Sequence, residues 1–182
     1  MPEDEPRIVT RGPMTLVGVT LFGSPQVTDL AQAWTLFGDV AGELEWVRET
    51  KLVYGLQVYP PAFPHVFAYT YMAGIELPEG VEVPLRMFRK EVPAARYAVI
   101  DSEDGVEGIA EAYRWLYEEW MPESGYELAF PYDFEQYDSK GREADESEEG
   151  TEVITVWVPI VERPPEEDVV EAEYGEYGEV EE

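Results

Sequence analysis

Residues Ser124–Asp138 read SGYELAFPYDFEQYD. Apolar and aromatic side chains fall at every second position: Tyr126, Leu128, Phe130, Tyr132 and Phe134. That period of two is the mark of a β-strand, and Pro131 is expected to interrupt or bulge it. Glu135 sits beside Phe134, close to where a core should form. It is either an edge carboxylate of an acidic protein or the working group of a site. The residues alone leave both open.

Reading outward from this stretch brings out a repeat. Before it, ARYAVID (95–101) has strand composition and GVEGIAEAYRWLYEEWM (105–121) has amphipathic helical spacing. After it, TEVITVWVPIV (151–161) is a last strand. The order is β-α-β-β, and the first half of the chain has the same order. MTLVGVTLF (14–22) is a strand. VTDLAQAWTLFGDVAGEL (27–44) is a helix, with Leu30, Ala33, Trp34, Phe37 and Val40 on one face and Ser24 or Thr28 as its cap. LVYGLQVY (52–59) and VFAYTYMAGIEL (66–77) are two further strands. The letters agree: LAQAWTLF begins at Leu30 and IAEAYRWL at Ile109, 79 residues later. The same offset sets Leu56 against Glu135, so the second copy carries an acid where the first carries a core-like Leu.

The fold expected is therefore α+β, with two βαββ repeats at 14–77 and 95–162. Residues 1–13 read as a polar N-terminal arm. Residues 140–150 (KGREADESEEG) read as an acidic loop, and 163–182 as an acidic, flexible tail.

Composition narrows the function. A net charge of −28 over 182 residues, with only 12 Lys and Arg, argues against direct nucleic-acid binding and against an anionic membrane surface. It favours cationic ligands or a basic protein partner. With no cysteine, disulfides and thiolate chemistry are excluded. One histidine, His65 in a proline-rich turn, cannot build a multi-His metal site. No cofactor or metal is expected. The acidic start MPEDEPRIVTRG is no signal peptide, and no apolar run spans a membrane, so a cytoplasmic protein is expected.

Several phrases together resemble the GyrI-like effector-binding family. They are Leu116-Tyr117, Trp120 and Pro122 at the helix end, Ser124-Gly125-Tyr126-Glu127 in the turn, and Phe134-Glu135-Gln136-Tyr137 on the strand. The first half adds LVGV (16–19), AWTLF (33–37), YGL (54–56) and YTYMAGIEL (69–77), and VPAARYAVI (92–100) precedes the second repeat. The resemblance covers about residues 14–161. It implies two βαββ units with pseudo-two-fold symmetry, antiparallel sheets and a ligand cleft between the repeats. It also implies that Glu135 lies in that cleft and pairs with lipophilic cationic small molecules. Three departures from the family are expected: a chain without a DNA-binding domain, a longer and more acidic loop at 140–150, and an extra acidic tail.

A carboxylate among aromatic rings is costly unless it is paired or neutral, so burial should raise the pKa of Glu135. The aromatic walls expected around it are Trp34, Tyr54, Tyr69, Tyr71, Trp115, Tyr126, Tyr137 and Trp157. Parity along FAYTYMA places Phe67, Tyr69 and Tyr71 on one face. The chain thus reads as a freestanding binder of amphipathic cations. One alternative is a hydrolase of strained or electrophilic toxins with Glu135 as general base. Another is an acidic interaction protein that mimics DNA or holds a basic partner. Glu127 and Glu76 read as solvated or structural acids.

Overall fold

The computed structural model describes residues 5–24, 26, 28–50, 52–102, 105–138 and 154–164. The acidic loop and all but the first two residues of the tail lie outside the described residues. The strands are β1 (Arg7–Arg11), β2 (Met14–Gly23), β3 (Leu52–Val58), β4 (Tyr69–Glu76), β5 (Phe88–Val92), β6 (Ala95–Ser102), β7 (Tyr126–Leu128), β8 (Tyr132–Asp138) and β9 (Ile154–Glu162). The helices are α1 (Gln32–Ala41), the short α2 (Phe63–Val66), α3 (Ile109–Arg114) and α4 (Met121–Glu123). A π-helical stretch, Trp115–Trp120, joins α3 to α4.

All strands belong to one antiparallel sheet in the order β1-β6-β9-β8-β3-β4-β2-β5, with β7 added beside β9. The two repeats thus share a single sheet rather than forming one each. Its symmetry shows in that order: β3 and β8 pair at the centre, and β4 and β9, β2 and β6, and β5 and β1 follow outward as counterparts. The expected polar arm contains an edge strand, since Arg7–Arg11 pairs with β6. Its short RIVTR run, flanked by prolines and charges, carries too little apolar alternation to be read as a strand. The segment between the repeats supplies β5, which pairs with β2.

The sheet is covered differently on its two faces. On one, Leu16, Tyr54, Leu56, Tyr97, Val99, Tyr132 and Phe134 form a core built entirely from strands. The sheet curls so far that Arg11 on edge strand β1 reaches Tyr54 on central β3, donating to its hydroxyl at 2.9 Å. The Arg11 guanidinium lies 5.4–5.9 Å from the ring centres of Tyr54, Phe134 and Trp157 and also donates to Gln136. Arg11→Ala is expected to cost about 1–3 kcal/mol through lost cation–π and hydrogen-bond contacts, read as a lower urea midpoint. Arg11→Lys should recover only part of it, because an ammonium cannot fork between the same acceptors.

On the other face, α1 buries Ala33, Phe37, Val40 and Ala41 against β2 and β4. Their spacing is that of one helical stripe. Neither Ser24 nor Thr28 caps α1; Asp29 Oδ1 instead accepts the Ala31 N–H at 3.2 Å. The second helix packs Ala112 and Leu116 over β6 and β9. The central strands β3 and β8 lie between the two helical layers, and the site lies there.

The central register also corrects the repeat alignment. Leu56 pairs with Phe134, and Gly55 with Glu135. Leu56 and Phe134 share the strand-built core. Glu135 therefore shares a face with Gly55 and Gln57 and not with Leu56, and an offset of 78 sets it against the polar Gln57. An offset of 79 holds for the helices but places β3 and β8 on opposite faces. Leu56 was not replaced by an acid; the polar position already exists in the first repeat.

Candidate functional site

Side chains alternate along a strand, so Asp133 and Glu135 project from the same face of β8. Gln57 of β3 stands opposite Asp133 on that face. Gly55, opposite Glu135, has no side chain. A Cβ there would overlap the Glu135 Oε2 and Tyr71 hydroxyl, so the glycine makes the space these two groups fill.

Glu135 is 4% exposed. Gln57 Nε2 donates to its Oε1 at 2.8 Å, and the Tyr71 hydroxyl donates to its Oε2 at 3.3 Å. The Tyr71 oxygen accepts in turn from Trp34 Nε1 at 2.9 Å. Trp34 meets Tyr137 edge-on, with ring centres 5.0 Å apart. A chain of polar contacts thus runs from α1 through β4 to the carboxylate on β8.

Asp133, fully buried, is a second carboxylate. Its Oδ2 accepts from the hydroxyls of Tyr59 at 2.8 Å and Tyr117 at 2.7 Å. Its Oδ1 and the Tyr113 hydroxyl are buried without a hydrogen bond of adequate geometry among the described residues. Tyr113 nevertheless faces both acids closely enough to favour their ionised forms.

Burial dominates the proton affinities. It raises Glu135 to about 8, with the Asp133 charge adding to the effect and Tyr113, Tyr71 and Gln57 opposing it. Burial raises Asp133 to about 6, opposed by the hydroxyls of Tyr117 and Tyr59 that bond it and of Tyr113 beside it. Two carboxylates so close resist being ionised together. Both are therefore held above the ordinary carboxylate range, Glu135 further than Asp133. Burial and Glu135 likewise push the Tyr71 hydroxyl well above its ordinary range.

Above the acids lies a cavity of about 600 Å³. Gln57, Tyr59, Tyr113 and Tyr117 form its floor, Phe63, Tyr69, Leu128 and prolines 60, 61 and 131 make the walls, and neither carboxylate is itself among the lining residues. On the first-repeat side the rings of Tyr59, Phe63 and Tyr69 cluster 4.7–6.1 Å apart. On the second-repeat side Tyr113 and Tyr117 stack at 6.3 Å. The helix carrying them enters its π-helical stretch at Trp115, between the two rings. Among the described residues no cluster of three or more His, Asp or Glu is placed to hold a metal ion.

The expected aromatic walls divide into two sets. Tyr69 and Tyr71 face the site, and Trp34 and Tyr137 adjoin it through Tyr71. Tyr54 and Trp157 lie on the opposite face of the sheet around Arg11. Trp115 borders a separate surface groove with Trp120, and Tyr126 stacks on Trp120 at 5.9 Å beneath Arg96. Phe67 leaves the expected parity because β4 begins only at Tyr69; Phe67 ends α2 in a left-handed conformation, φ 48°. Glu127 and Glu76 are exposed, and Glu76 pairs with Arg11. Sequence reasoning missed Asp133, Gln57, Tyr59, Phe63, Tyr113 and Tyr117. The i, i+2 spacing of Asp133 and Glu135 was a usable signal for the first.

An α+β fold with a central apolar cleft over buried acids defines a small-molecule binding module. The chain belongs to the GyrI-like small molecule binding domain family, whose model matches residues 4–161. It is 33% identical over 136 residues to the transcriptional regulator BrlR of Pseudomonas aeruginosa, covering 75% of this chain and 49% of BrlR. The chain thus spans about half the length of that relative. Its fold is similar to that of SAV2435 bound to tetraphenylphosphonium, with TM-score 0.65, 13% identity, and 87% and 94% of the two chains covered. It is also similar to the Vibrio cholerae integron cassette protein VCH_CASS2, with TM-score 0.62, 13% identity, and 86% and 96% covered. At these identities the structural likenesses are of fold. No helix among the described residues is long and apolar enough to cross a membrane.

Proposed function

We propose that this protein binds lipophilic, aromatic cations in the cleft between its repeats, as a cytoplasmic binder with Glu135 as the charge anchor. The observation that carries this reading is a carboxylate 4% exposed, one hydrogen bond behind the Gln57 that lines an aromatic-walled cavity, with no cationic side chain among the described residues bonded to it. A buried acid without a cation either takes up a proton or awaits a positive ligand. A flat cation would meet the acid with its charge and the rings with its body, gaining roughly 0.5–2 kcal/mol per cation–π contact. The tetraphenylphosphonium on SAV2435 is likewise a lipophilic cation with an aromatic body, tetrahedral rather than flat.

The test is calorimetric titration with tetraphenylphosphonium in high salt, which screens the acidic surface. Wild type should bind saturably, and Glu135→Gln should bind at least about tenfold more weakly, the equivalent of 1.4 kcal/mol. Equal binding by both, or binding that salt abolishes, would refute the pocket. Because Glu135 must ionise to meet the cation, binding should release a proton below about pH 8. Affinity should therefore rise with pH and level off above that value, with Asp133, Tyr71 and Tyr113 as the other titratable groups facing it.

A further inference from the structure

The polar groups on the cavity floor are already committed inward. Tyr59 and Tyr117 direct their hydroxyl protons to Asp133 Oδ2, and Gln57 directs an amide N–H to Glu135. All three also line the cavity. A phenol that donates inward keeps its oxygen lone pairs for a group on the other side. Among the described residues the cavity lining includes no Lys, Arg or His to donate to those lone pairs. Two further polar atoms beneath the floor, Asp133 Oδ1 and the Tyr113 hydroxyl, are buried without a completed hydrogen bond.

A quaternary onium ion has no N–H and would leave every one of these acceptors unfilled. A primary ammonium or an amidinium would not. Its N–H groups can donate to the Tyr59 and Tyr117 oxygens while the phenols go on donating to Asp133. Such chains polarise one another and strengthen. Resting on the cation-binding reading above, we propose that Asp133 is a second anionic anchor, and that the cleft selects aromatic cations bearing at least two N–H donors over quaternary onium ions. Glu135 then supplies charge to either kind of cation, and the Asp133–tyrosine group supplies the discrimination. A site built to hydrogen-bond its ligand rejects an analogue that lacks the donor, because buried acceptors are left unpaired.

The experiment compares 4-phenylbutylammonium with its N,N,N-trimethyl counterpart by calorimetry on the whole protein, with tetraphenylphosphonium as a third probe. The trimethyl probe is the more apolar, so simple hydrophobic burial would favour it. Wild type should instead bind the primary ammonium about tenfold or more tightly. Asp133→Asn should reduce that preference to within about twofold, by weakening the primary ammonium alone. If Asp133→Asn does not fold, Tyr117→Phe deletes the intervening hydroxyl, keeps the ring, and should reduce the preference likewise. Trimethylammonium binding as tight as primary ammonium in wild type would overturn the inference, as would a preference that survives in the folded variants. Tetraphenylphosphonium binding with no N–H preference overturns this inference alone. Failure of all three probes to bind overturns the cation-binding reading, and this one with it.

Discussion

Glu135→Gln is expected to make the protein more stable at alkaline pH while it weakens cation binding. The folded carboxyl has its pKa raised to about 8 by burial and by Asp133, from an ordinary 4.5. Between those values the folded chain keeps a proton that the unfolded chain releases. The stability this confers is fully present below about pH 4.5 and is lost as pH rises to about 8. Above that, the native state must hold a buried charge. At 1.36 kcal/mol per unit the loss is on the order of 3–5 kcal/mol. A neutral Gln carries no such penalty, and its amide can still accept from Tyr71. Urea unfolding at about pH 5 and about pH 9 checks this. Wild type should lose stability between the two, and the variant should lose clearly less. Asp133 has the same sign over a lower window, from 3.8 to about 6, so the remaining slope of the variant should sit there. Parallel curves for the two proteins would mean that Glu135 is ionised at neutral pH, and the proton-release mechanism would fail.

Gly55→Ala is the second large effect. The new methyl group would overlap Glu135 Oε2 and the Tyr71 hydroxyl on a strand buried on both faces. Glu135 cannot easily withdraw, since Gln57 holds its other oxygen and the group is 4% exposed. The expected cost is about 2–4 kcal/mol, with loss of tetraphenylphosphonium binding. In a Glu135→Ala background the carboxylate is gone and the same methyl has room. The double-mutant cycle should then show a coupling of about 1–3 kcal/mol. Additive costs would place the strain in the backbone of β3 rather than in the site.

These effects separate what was legible in the residues from what was not. The β-α-β-β order, the repeat and the position of Glu135 rested on local periodicity, which sequence displays directly. Register was less accessible. A shift of one residue exchanges the two faces of a strand, so an offset read from the helices set Leu56 against Glu135, which shares its face with Gln57. The aromatic walls were misjudged for a related reason. Tyr54 and Trp157 are aromatic and buried or partly so, as expected, but their parity sends them to the strand-built face, where the chain's own Arg11 occupies the ring cluster.

The sequence by itself determined the class of fold, the doubled architecture and the strand that carries Glu135, because hydrophobic spacing and turn chemistry act over a few residues. Only the tertiary structure decided that Asp133 joins Glu135 beneath the same cavity. It also decided which tyrosines hold Asp133, and that a glycine on the neighbouring strand makes room for Glu135. Those facts depend on the pairing of β3 with β8, 80 positions apart in the chain at Gly55 and Glu135, and on the helix packed over β6 and β9. No local pattern encodes such contacts; the burial of both faces of the central strands sets them.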